Sequence, residues 1–142
     1  MRHDEMIGKV QALAHLPDRG STELATRSVL QTLAERVPTG LADHVAAQLP
    51  RDLAACIHEV TASATSDGRS SGAGERFDLT AFAGRVAVRA GTTEDKALGY
   101  SAAVLEVLDA AVSPEEMRKL TDALPADIRE LLPTARADEP AE

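Results

Sequence analysis

Val29-Leu30-Gln31-Thr32-Leu33-Ala34-Glu35-Arg36-Val37-Pro38 is answered, at an offset of 75 residues, by Val104-Leu105-Glu106-Val107-Leu108-Asp109-Ala110-Ala111-Val112-Ser113. In both stretches Val, Leu, Leu and Val fall at spacings that place them on one face of a helix. The offset holds without a gap from Val29 to Ile57 against Val104 to Leu132. Leu49-Pro50 matches Leu124-Pro125, Asp52 matches Asp127, and Leu53 matches Ile128. Upstream, Met6, Lys9 and Val10 match Phe82, Arg85 and Val86 at an offset of 76, so the first copy has one extra residue in its first inter-helix loop. What recurs is the apolar stripe and the helix punctuation, the pattern of a duplicated supersecondary unit.

Working outward, each copy reads as four helices. The first runs from about Asp4 to Ala14 on a stripe of Met6, Ile7, Val10, Leu13 and Ala14. Ser21 is the expected cap of the second, whose stripe is Ala25, Val29, Leu30, Leu33 and Val37, and Pro38 stops it. A third helix from Thr39 carries Leu41, Val45 and Leu49. A fourth after Pro50 buries Leu53, Cys56, Ile57 and Val60. In the second copy Asp78 caps a helix bearing Leu79, Phe82, Ala83, Val86 and Ala90, which Gly91 ends. Thr92-Thr93-Glu94-Asp95 starts a long helix carrying Leu98, Ser101, Leu105, Leu108 and Val112. Ser113-Pro114-Glu115-Glu116 combines a Ser cap, Pro at the first helical position and a following Glu, a capping box. Met117, Leu120 and Leu124 follow it, then a short helix with Ile128, Leu131 and Leu132. No run of alternating β-branched and aromatic residues predicts a sheet. The expected fold is therefore all-α: two tandem, pseudo-symmetric four-helix units packed as one bundle. Residues 1–60 form the first unit, 61–76 a Gly/Ser-rich flexible linker, 77–133 the second unit, and 134–142 a disordered acidic tail.

Composition narrows the function. Lys and Arg number 15 against 23 Asp and Glu, a net charge of -8. The four segments carry -2, 0, -4 and -2, so none is net basic. A nucleic-acid or anionic-membrane surface is not expected. Aromatics are 2% of the chain, too few for base-stacking platforms. One Cys excludes an intramolecular disulfide and any multi-cysteine zinc site. The charged start, Met1-Arg2-His3-Asp4-Glu5, has no apolar leader region, and no apolar run reaches the roughly 18 residues of a membrane span. The expected compartment is the cytoplasm.

Each chemistry-bearing residue also has a plain structural role open to it. His3, His15, His44 and His58 form no pair at the three- or four-residue spacing of a helical metal clamp. Cys56 lies on an apolar stripe and reads as a core thiol, with His58 on another side of the helix. Asp4-Glu5, Glu94-Asp95 and Glu115-Glu116 all sit in first helical turns, where the helix dipole favours negative charge. Asp43-His44 are adjacent on a helix, do not face each other, and read as an exposed edge. Tyr100 lies off its stripe and is expected in the core or between the units. Gly72 to Gly74 is preceded by no strand and followed by no Lys-Ser/Thr, so it fails as a phosphate loop.

Asp-Glu-Met-Ile-Gly-Lys-Val from residue 4, Ala-Thr-Arg-Ser-Val-Leu-Gln-Thr-Leu-Ala-Glu-Arg-Val-Pro from residue 25 and Leu-Ala-Asp-His-Val-Ala-Ala-Gln-Leu-Pro from residue 41 resemble the bacterial domain-of-unknown-function family 2267. Arg-Phe-Asp-Leu-Thr-Ala-Phe-Ala-Gly-Arg-Val-Ala from residue 76 and Val-Leu-Glu-Val-Leu-Asp-Ala-Ala-Val-Ser from residue 104 fit the same pattern. The resemblance covers about residues 3 to 133. It implies a small all-helical protein with no established activity, a link to stress adaptation, and no site residues to carry over. The helix pairs Asp4–Val37 and Asp78–Val112 also resemble the opening pair of bacterial histone-like proteins, but the basic arm that holds DNA in those proteins has no counterpart here. The expectation is a non-enzymatic protein-interaction or oligomerisation module. It would have a protein partner or self-association, no catalytic, cofactor-binding or metal residues, and no cofactor. The alternative is a small-ligand-binding regulatory protein with a pocket between the two units.

Overall fold

The computed structural model describes residues 2–66 and 78–131. Among them are eight helices: α1 (His3–Ala14), α2 (Arg19–Arg36), α3 (Thr39–Ala46), α4 (Arg51–Ser66), α5 (Leu79–Ala90), α6 (Glu94–Ala111), α7 (Pro114–Ala123) and α8 (Ala126–Arg129). No strand occurs among the described residues, so the fold is all-α.

The helix ends show why the sequence breaks where it does. Asp78, Thr93 and Ser113 each accept a backbone N–H from the residue three places on, relieving an unpaired donor of the first turn. For α2 the cap is not Ser21. Asp18 is extended and its carboxylate accepts the Ser21 N–H at 2.7 Å, so Ser21 already lies in the first turn. The capping box at Ser113 is half made. Its hydroxyl accepts the Glu116 N–H at 3.3 Å, but its own N–H donates to Gln48 Oε1 at 2.6 Å, on α3 side of the chain. α1 and α5 both end on a left-handed residue, His15 at φ 58° and Gly91 at φ 66°.

Two boundaries differ from the sequence reading. α3 stops at Ala46, and Leu49 is buried in the turn beyond it. α4 continues through Ser66, so helix occupies the first six residues of the expected 61–76 linker. Thr61 is buried there, and no Gly or Pro interrupts the chain until Gly68. The rest of that segment, with Gly72 and Gly74, lies outside the described residues, as do Leu132 and the expected tail.

One apolar core runs through the molecule. Met6, Ile7, Val10, Val29, Leu30 and Leu53 from the first half join Phe82, Val86, Leu105, Leu108, Leu120 and Ile128 from the second. α1 packs on α2 and α6, and α5 packs on α6 and α2. α2 also meets α6, α4 covers α2 and α3, and α3 touches α7. α2 is thus the central helix, and its hydroxyl side chains show how polar residues are tolerated there. Thr22, Thr26, Ser28 and Thr32 are buried, and each donates its hydroxyl hydrogen to the carbonyl four residues back.

Candidate functional site

The most developed polar constellation spans α2 and α5. Arg85 and Arg89 lie four apart on α5 and share a face, an arrangement that repels unless an acid intervenes. Glu35 on α2 is that acid. Arg89 grips it with two parallel bonds, Nη1 to Oε1 at 2.9 Å and Nη2 to Oε2 at 2.7 Å, and Arg85 adds a third at 3.1 Å. Arg89 Nη1 also donates to Thr32 Oγ1 at 2.8 Å, while the Thr32 hydroxyl donates onward to the Ser28 carbonyl. Burial pushes the Glu35 carboxyl up, but the bonds and charge of Arg89, then of Arg85, outweigh it and hold it below its ordinary value.

Beside this clamp runs an open groove of about 660 Å³, lined by Glu35, Ala81, Gly84, Arg85, Val88, Arg89 and Glu94. Ala81 and Gly84 are its small lining residues, and a carboxylate oxygen of Glu94 lies 3.7 Å from where a Cβ on Gly84 would stand. Val88 is 83% exposed, the most exposed large apolar side chain among the described residues. The groove combines an accessible apolar strip with two positive and two negative side chains.

The sequence reading did not bring Glu35, Arg85 and Arg89 together. Two like charges four apart on one helix were the available signal that an acid had to approach. Other expected residues are placed as follows. Asp43 and His44 lie on an exposed edge, their side chains 46% and 66% accessible, and each approaches a residue of another helix. His58 Nδ1 lies 3.5 Å from Asp43 Oδ1, and His44 Nδ1 lies 3.9 Å from Glu116 Oε1. A shallower depression of about 240 Å³, lined by Thr39, Asp43, His58, Thr61 and Ala62, adjoins the first of these pairs. Cys56 is buried, as its stripe position required, and burial raises its thiol. His3 lies within 3.8 Å of Glu23, which Arg19 also meets. Tyr100 is half-buried against the core. Among the described residues no three His, Cys, Asp or Glu side chains converge to hold a metal ion. No helix among them is long and apolar enough to cross a membrane.

A family model described as "Uncharacterized conserved protein (DUF2267)" matches residues 3–131, nearly the whole chain. The chain belongs to the DUF2267 family. This match takes in all eight helices of the DUF2267 chain, so groove and clamp both lie inside the family's own domain. No curated protein matches the chain.

Proposed function

We propose that this DUF2267 chain is a non-enzymatic protein-interaction or self-association module that uses the α5 groove as its contact surface. The observation that carries the reading is Val88, an apolar side chain 83% exposed in a groove flanked by Arg85, Arg89, Glu35 and Glu94. An accessible apolar centre with a charged rim is the anatomy of a protein contact. The reading also takes the chain as two tandem units, 1–60 and 77–133, working in the cytoplasm. The crosswise pairing of α1 with α6 and of α5 with α2 supports the duplication. So do the equal lengths of α1 and α5, 12 residues each, and of α2 and α6, 18 residues each.

A second reading is favoured by position. Glu35 belongs to the first half and the remaining lining residues to the second, so the groove lies where the halves meet, as a regulatory-ligand pocket between the units would. Its openness suits a protein surface better than an enclosed small molecule. Light scattering over a range of concentrations, with Val88→Arg and Gly84→Leu variants, separates the two. The interaction reading predicts assembly in the wild type and at least about tenfold weakening in the variants, the scale of a central contact residue. A monomer at every concentration whose melting temperature rises with a small ligand, and does not in the variants, would favour the pocket reading instead.

A further inference from the structure

We infer that the occupant of the α5 groove is a second copy of this chain, docked antiparallel about a two-fold axis so that Val88 of each copy fills the notch at Ala81 and Gly84 of the other. The inference rests on the groove being a contact surface and names what covers it. Ala81, Gly84, Arg85 and Val88 recur at the three- and four-residue spacing of one helix face, and all four line the groove. That face carries a knob and a hole together. Val88 is the knob, the most exposed large apolar side chain among the described residues. The hole lies up to two turns back, where Ala81 contributes a methyl group and Gly84 no side chain. Val88 and Ala81 of one copy are about 10 Å apart along the helix axis and cannot meet. Turning a second α5 end for end brings each knob over the other copy's hole. A two-fold contact requires this self-complementarity, in which one residue meets a second and the second meets the first. Small residues at the crossing let the two helix axes approach to about 8 Å.

Charge follows the same symmetry. Glu94 is exposed in the first turn of α6 and stands beside Gly84, with a carboxylate oxygen 3.7 Å from where a Cβ there would be. In the antiparallel pair Arg85 of one copy crosses at Gly84 of the other, so its guanidinium meets the Glu94 of that copy, and the contact is made twice. A guanidinium has five N–H donors, so Arg85 can bond Glu94 across the axis while keeping Glu35 at 3.1 Å. Each copy brings Arg85, Arg89, Glu35 and Glu94, so the contact is neutral between chains that each carry -8. A strongly charged partner of either sign gains nothing from so balanced a groove, which favours the second copy. The first half of the chain supplies an internal comparison. The same four positions on α1 are Glu5, Gly8, Lys9 and Ala12. Glycine and cation recur there, but the knob is shortened to Ala12 and the notch holds Glu5, which pairs with Lys9 at 4.0 Å. The α1 face therefore lacks both halves of the fit.

Disulfide trapping in the full chain tests the dimer, on a Cys56→Ala background that removes the native thiol. With Ala81→Cys and Val88→Cys together, oxidation should give a covalent dimer, because positions 81 and 88 of opposite copies come within bridging reach. Either substitution alone should give at least about tenfold less, since like positions then stand two turns apart across the axis. Sedimentation of the wild type should show a reversible dimer that Glu94→Lys weakens at least about tenfold. Ready trapping through Val88→Cys alone, or none with the pair, overturns the antiparallel dimer. If Val88→Arg still dissociates the wild type in that case, the groove stands as a contact surface; association that Val88→Arg leaves intact overturns both readings. A wild type monomeric at every concentration overturns the dimer, and adducts from a photoreactive group at position 88 with a different protein would then leave the contact-surface reading in place.

Discussion

Of the seams that join the first four helices to the last four, α2 against α5 and α1 against α6 pair matching sequence positions, and they are built differently. At the first, Thr32, Glu35, Arg85 and Arg89 form a bonded cluster. The residues at the corresponding positions of the second, 75 or 76 away in the chain, are Val107, Ala110, Lys9 and Leu13. Val107 is buried, Lys9 pairs only within its own helix with Glu5, and Leu13 is 43% exposed. Both seams rest on the same apolar base, Met6 and Val10 in α1 and Phe82 and Val86 in α5, all fully buried. The α1–α6 seam closes on apolar contacts without a charged cluster, so docking at the α2–α5 seam is expected to tolerate its loss. What the cluster adds is a rigid, charged wall beside the one groove that exposes Val88.

The comparison can be broken most forcefully in its shared base. Leu30 and Leu105 are both fully buried, so Leu30→Ala and Leu105→Ala should each cost about 2–5 kcal/mol, measured by denaturant unfolding. The two losses should agree within roughly 1 kcal/mol, well inside the spread seen for chemically identical truncations at dissimilar sites. A Leu105→Ala that costs almost nothing would mean the halves do not contribute alike.

The charged seam gives the next effect. Glu35→Ala removes the carboxylate that Arg85 and Arg89 share, each arginine being about a third exposed, and should cost about 1–2 kcal/mol after allowance for solvent screening. Converting the seam to its counterpart, Thr32→Val with Glu35→Ala and Arg89→Leu, should return stability to within about 1 kcal/mol of wild type. Failure of the triple variant to recover would show that the cluster is needed for docking after all.

Acid unfolding sharpens the same point. Glu35 is held below its ordinary value of 4.5, so its contribution is present above that value and lost as pH falls through the lower folded one. Glu35→Gln should therefore flatten the stability curve below about pH 5. Asp4, held down by the bond and charge of Arg19, and Asp18, held down by Ser21, retain part of the wild-type slope. The α1 and α5 ends supply the smallest test. Gly91→Ala should lose about 1 kcal/mol at its left-handed cap, and His15→Gly should gain about 0.5 kcal/mol at the matching one, both read from melting curves.

The fold was legible because its determinants are local. The stripes of Val29 to Val37 and Val104 to Val112, and the breaks at Pro38, Pro50, Gly91 and Pro125, lie in the sequence itself, and Phe82, Leu30 and Leu105 are buried as their spacing required. Errors arose where two local signals competed. Ser21 and Asp18 are both good caps, and the backbone chose Asp18. The small polar residues after Val60 resembled linker, yet helix propagates through Thr61 because that residue packs down. The site was not legible. Glu35 and Arg89 are 54 residues apart and meet only because α5 docks on α2, and Glu116 finds His44 only because α7 meets α3.

The central claim, that one seam has become a contact surface and its counterpart has not, is tested most directly by site-specific photo-cross-linking. A photoreactive residue is placed at Val88 and, separately, at Ala12, the exposed position 76 residues earlier on α1. Both versions are then irradiated in the cell that makes the protein. The account predicts an adduct of one defined mass from position 88, a second copy or one partner, and none from position 12. Equal labelling from both positions, or none from 88, would contradict it.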